Sequence, residues 1–168
     1  MANPILDLPF VLETRRNHAL EHATLHVLAE KYPGRSMAGH SNPTGFFILG
    51  DFPTDDIAWA VNQAMTRLRA GESKLAIHAG CGTNLATTAL LSATLAWFVL
   101  RGAKSALGRI LRAPFAVVFA LFGLVLSQPL GPVLQQKITT EADLGDLELI
   151  EIRQSMRGRV TAHRVVTK

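Results

Sequence analysis

The sequence predicts an α+β membrane-proximal domain interrupted by a two-helix transmembrane hairpin. Three observations carry this expectation. No Lys, Arg, Asp or Glu lies between Lys74 and Arg101, or between Arg112 and Lys137. These uncharged runs of 26 and 24 residues are each long enough to cross about 30 Å of hydrocarbon as a helix. The residues on either side carry mixed helical and strand patterning with ordinary charge. The C-terminal segment reads as a β-hairpin, which is marginal alone and needs a sheet to join. The division is therefore an N-terminal α+β segment over residues 1–84, a helical hairpin over 85–136, and a C-terminal hairpin over 137–168 that completes the domain.

In the 168-residue chain, 48% of residues are hydrophobic and 18% charged, with a mean hydropathy of +0.22. That balance excludes disordered and fibrous classes. The net charge of +4 has a membrane explanation. Arg101, Lys104, Arg109 and Arg112 sit between the two apolar runs, where lipid headgroups meet them. No nucleic-acid motif accompanies them, so the expected partner is the lipid bilayer and not nucleic acid. The single cysteine, Cys81, excludes an internal disulfide. Residues 1–10 lack the pattern of a cleavable signal, so the internal runs would drive insertion into a cell membrane as a multi-pass protein.

Along the chain, Pro9 to Tyr32 reads as a helix, opened by Pro9, closed by Pro33-Gly34, and facing its core with Leu12, Ala19, Leu20, Ala23 and Val27. Residues 35–45 are rich in Gly, Ser, Asn and Pro and are expected as loop. Phe46 to Leu49 is a strand. Thr54 is expected to cap a second helix with Ile57, Val61, Ala64, Met65 and Leu68 buried, stopped by Gly71. Lys74 to His78 alternates like a strand. The membrane helices are placed at about Leu85–Leu100 and Ala113–Leu126. Thr83 or Asn84 is expected to cap the first, and Pro129 and Pro132 to end or bend the second. Small residues four apart (Ala89 and Ala93, Ala116 and Ala120, Gly123 and Ser127) permit close packing of the two. Leu147 to Arg153 and Arg159 to Thr167 form the last hairpin, with a bulge at Leu149-Ile150.

The sharpest chemical motif is His18-Ala19-Leu20-Glu21-His22. On a helix, His18 and His22 lie one turn apart and can converge on one metal ion, with Glu21 adjacent. His26 continues the ladder, so either His18/His22 or His22/His26 is a working pair. Three histidines at that spacing span about 12 Å, too far for one ion. His78 and Cys81, in His78-Ala79-Gly80-Cys81, are the best additional ligands, giving an N₃S donor set suited to zinc. Four such ligands make a closed structural site, whereas a catalytic zinc keeps a position open. His40 and His163 are expected as solvated surface histidines.

The H-x-x-E-H order resembles the signature of inverzincin metallopeptidases. That resemblance implies zinc on His18 and His22 and Glu21 as the general base of a metal-dependent hydrolase. That family draws a third ligand from a downstream glutamate, whereas this chain has no carboxylate between Glu72 and Glu141. More broadly, through Arg15-Arg16-Asn17-His18-Ala19-Leu20-Glu21-His22-Ala23 and Cys81-Gly82-Thr83-Asn84, the chain resembles a bacterial family of small two-pass membrane proteins of unknown function. The competing class is a non-catalytic membrane module that assembles with another membrane protein or a second copy through small-residue helix faces. The same histidines would then form a polar interfacial edge. By the positive-inside rule the Arg101–Arg112 link favours a cytoplasmic loop with both flanks outside. Arg67, Arg69, Lys74 and Lys137 near the apolar runs offset that bias, and the globular part is expected in the cytoplasm.

Overall fold

The structure is a computed structural model, described for residues 4–158 and 160–168. Arg159, the expected start of the last strand, and the first three residues lie outside that range. The chain folds as two compact units, one comprising residues up to His78 together with Gln135–Lys168, the other Ala79–Leu134.

The first unit is α+β. Helix α1 spans Pro9–Lys31, and proline in its first turn fits the φ the helix needs. From Arg15 to Leu28 it is buried on almost every side, with polar Asn17, Glu21, His22 and Thr24 inside as well as the apolar stripe. Strands β1 (Ala38–Asn42) and β2 (Gly45–Leu49) follow, then helix α2 (Thr54–Arg69). β3 (Leu149–Arg157) and β4 (Val160–Thr167) complete an antiparallel sheet of order β1-β2-β4-β3. The fully buried Phe46, Ile48 and Val165 on its inner face meet Leu20 and Leu28 of α1 and Ile57 and Val61 of α2 in one core.

Four expectations about this unit need correction. Residues 38–42 form an edge strand instead of loop, paired residue for residue with β2 around Pro43-Thr44. Ala-Gly-His-Ser-Asn has no apolar alternation to announce it. Residues 73–76 form a 3₁₀ turn instead of a strand, and the carbonyls of Ala76 and Ile77 are taken by His22 and His26 instead of a neighbouring strand. The terminal hairpin accordingly joins β2 alone. Thr54 does not cap α2. Pro53 occupies that position, and the Thr54 hydroxyl lies 3.2 Å from His163 Nε2. His163 is fully buried and not solvated, because its strand turns it to the core face beside Val165. The expected bulge is present, as a register shift between Leu149 and Glu151.

The second unit holds α3 (Gly82–Leu100) and α4 (Ala106–Leu134). At 1.5 Å per residue they are about 28 and 43 Å long. Both are long and apolar enough to cross a membrane. α3 buries none of its residues, whereas α4 buries Ala116, Gly123, Ser127 and Gly131. Gly123 has a steric reason, since a Cβ there would stand 2.6 Å from Ser92 Cα. The Thr88 and Ser127 hydroxyls bond across the pair at 2.7 Å. The second helix is longer than expected, running through Pro114, Pro129 and Pro132. Arg112 donates to the carbonyls of Val99 and Arg101, satisfying the end of α3.

Candidate metal centre

The i, i+4, i+8 spacing sets His18, His22 and His26 along one face of α1, and the first unit brings His78 against them. Ring centroids are 4.3 Å apart for His18 and His22, 5.6 Å for His22 and His78, and 5.1 Å for His26 and His78. One ring nitrogen of His18 and one of His22 lie within 4.8 Å of each other. The four imidazoles thus run as a chain in the order 18, 22, 78, 26.

Backbone carbonyls fix the rings. His18 Nδ1 donates to Thr139 O at 2.8 Å, and His22 Nδ1 donates to Ala76 O at 2.7 Å. A carbonyl only accepts, so in the neutral ring the proton sits on Nδ1 and the lone pair on Nε2. This arrangement, one ring nitrogen held by a carbonyl and the other presented as a donor, is the one metal-binding histidines use. His26 has the opposite sense, because its Nε2 donates to Ile77 O at 2.9 Å and leaves the lone pair on Nδ1. Burial pushes His78 down to about 4, helped by the charges of His22 and His26. It is therefore neutral near pH 7, as a ligand must be.

The supporting residues were not legible from the motif. Gln135–Thr139 forms a single π-helical turn, and the fully buried Gln135 accepts from His78 N at 2.9 Å. Thr139 of the same turn supplies the acceptor for His18. Buried Arg15 holds the turn in place, donating to Ile138 O at 2.8 Å and Thr140 O at 3.0 Å, and pairing with Glu141 at 3.2 Å. The one available signal was a polar Gln-Gln pair closing an apolar run behind Pro132. A carbonyl acceptor leaves no trace in side-chain identity.

Glu21 of the same motif is fixed by β1. Its buried carboxylate accepts from the Ser41 hydroxyl and stands against Gly39, where any Cβ would overlap Oε1. Glu21 thus contacts β1, while the histidine rings face the 3₁₀ and π turns. Cys81 belongs to the second unit, where it is the N-cap of α3 and its Sγ accepts from Thr83 N at 3.4 Å. That replaces Thr83 or Asn84 as the expected cap. The Asn84 side chain donates instead to Ala79 O at 2.8 Å. His40 is exposed on β1 and takes no part in the imidazole chain.

An α+β unit with carbonyl-fixed histidines, in one chain with two long apolar helices, defines the class of protein. The family follows from comparison. Residues 13–152 match the family model Domain of unknown function (DUF6391), and the chain belongs to that family. An uncharacterized protein of Picosynechococcus sp. is 37% identical, covering 91% of this chain and 80% of its own length. No solved structure matches.

Proposed function

We propose that this protein is a two-pass membrane protein whose α+β unit holds a divalent transition metal, zinc foremost, on His18, His22 and His78. The single observation that carries the reading is the paired carbonyl anchoring of His18 and His22 one helical turn apart, with one ring nitrogen of each within 4.8 Å of the other. The sequence adds Cys81, separated from His78 by two residues, as a candidate fourth donor. The membrane part of the proposal is supported by α3 and α4, whose large apolar side chains Leu90, Phe98, Phe115, Val125 and others are exposed. A soluble helix pair with no polar outer face is not stable in water.

Purification without chelators, followed by elemental analysis, tests the reading. About one equivalent of zinc per chain is expected, and His22→Ala loses it. Near-zero zinc and iron in the native protein would overturn the proposal.

Hydrolysis is the narrower second reading, favoured by the burial of the Glu21 carboxylate on the same helical turn as His18 and His22. In that reading Glu21 is the general base and not a ligand, and the metal keeps an open position. Glu21→Gln then retains the metal and accumulates an uncleaved substrate in the membrane proteome. Metal retained with no accumulating substrate leaves a structural centre.

The metal-bearing unit is proposed to lie in the cytoplasm. A cysteine introduced at Ser105, between the apolar helices, is expected to react with an impermeant reagent on intact cells. Absence of labelling, with a working positive control, reverses the orientation.

A further inference from the structure

The start of α1 carries an exposed apolar group. Ile5, Leu8 and Phe10 are 66, 53 and 72% exposed, although each belongs to an ordered turn closed by bonds from Leu8 N to Ile5 O and from Val11 N and Leu12 N to Leu8 O. Three large apolar side chains within six residues are too many for an incidental surface patch at the start of a helix that is largely buried from Arg15 onward.

The fold places this group at a defined point of the chain. Arg15, about 8 Å along the helix from Phe10, donates to the carbonyls of Ile138 and Thr140, and His18 donates to that of Thr139. Those acceptors lie within six residues of Leu134, the end of the second apolar helix. Lys137 and Ile138 in the same turn are exposed, a cation beside an apolar side chain. The first turns of α1 are therefore bonded to the segment where the chain leaves that apolar helix. Apolar side chains at such a point fit the boundary between acyl chains and headgroups.

We propose that Ile5, Leu8 and Phe10 insert into the interfacial layer of the bilayer, making the start of α1 a third, non-spanning membrane contact. The inference rests on the two-pass reading.

The test uses the full chain in vesicles of phosphatidylcholine and phosphatidylglycerol whose acyl chains are brominated at a shallow position. Trp59 and Trp97 are the native tryptophans. A Trp59→Phe variant reports on Trp97 in α3. Phe10→Trp combined with Trp59→Phe and Trp97→Phe reports on the start of α1, and Leu8→Trp in the same background gives an independent second reporter. Both positions are exposed, so neither substitution disturbs packing. Loss of emission at Trp97 and at both introduced positions is the expected result. Quenching of Trp97 with none at positions 8 and 10 would overturn the inference and leave the two-pass reading standing. Quenching at none of them would overturn both.

Discussion

Gly39 and Glu21 form a tight residue-level dependence in the first unit. Gly39 has an ordinary strand backbone, so its lack of a side chain serves the Glu21 carboxylate and not a turn. Gly39→Ala is expected to destabilise the protein by about 1–3 kcal/mol, the usual cost of overpacking. Glu21→Ala in the same background should recover much of that loss, which a double-mutant cycle of thermal melts would measure. Simple additivity would show that the two do not share space. His163 offers a second residue-level prediction. Its ring is fully buried, Nδ1 has no hydrogen-bond partner among the described residues, and burial lowers its pKa below the ordinary histidine value. The unfolded chain then binds the proton more tightly than the native one. The contribution of this group to stability is complete above about pH 6.5 and is lost as the pH falls through the lowered native value. His163→Phe should narrow the gap between melting temperatures at pH 7.5 and 5.5, and an unchanged gap would assign the acid sensitivity to other groups.

At the scale of elements, legibility followed how much of the signal lay in side chains. α1 announced itself through Pro9 and Pro33-Gly34, and α2 through a five-residue apolar stripe that the core confirms. β1 was hidden because its partners are backbone groups of β2 and its packing depends on a missing Cβ at Gly39. The 3₁₀ turn at Ser73–Ala76 was hidden for a related reason, since apolar alternation over five residues does not reveal that histidines will take its carbonyls. The candidate site divides the same way. His18, His22 and His78 were readable as potential donors, but the atoms that orient them were not. The π turn is the clearest case, and it yields a prediction. Gln135→Ala removes the acceptor of the part-buried His78 N, a loss of about 1 kcal/mol. If the turn serves the proposed centre, metal content should fall further in Gln135→Ala than in an equally destabilised core variant such as Val61→Ala. Equal retention at matched stability would make the turn a packing element only.

On the scale of the whole molecule, the α+β unit is assembled from both ends of the chain. His18 reaches Thr139 across 121 positions, and Thr167 donates to Asn17 across 150. β2 joins β4 with Phe46 opposite Val165, so half of the sheet is C-terminal to the apolar helices. Pairings of that sequence separation make the unit one cooperative fold and not two halves. A chain ending at Leu134 keeps His18, His22, His78 and Cys81 but lacks β3, β4, Gln135 and Thr139. It is expected to show no cooperative melting of the polar unit and no bound zinc, whereas metal uptake by that fragment would make the donors sufficient by themselves.

The same interleaving imposes an order of events during synthesis. When the ribosome has released the four candidate donors, the acceptors that aim His18 and hold His78 do not yet exist. They follow only after both apolar helices have emerged. On the proposed two-pass, metal-binding reading, the centre would mature only after the hairpin had entered its membrane, and a shorter nascent chain would present only loosely held imidazoles.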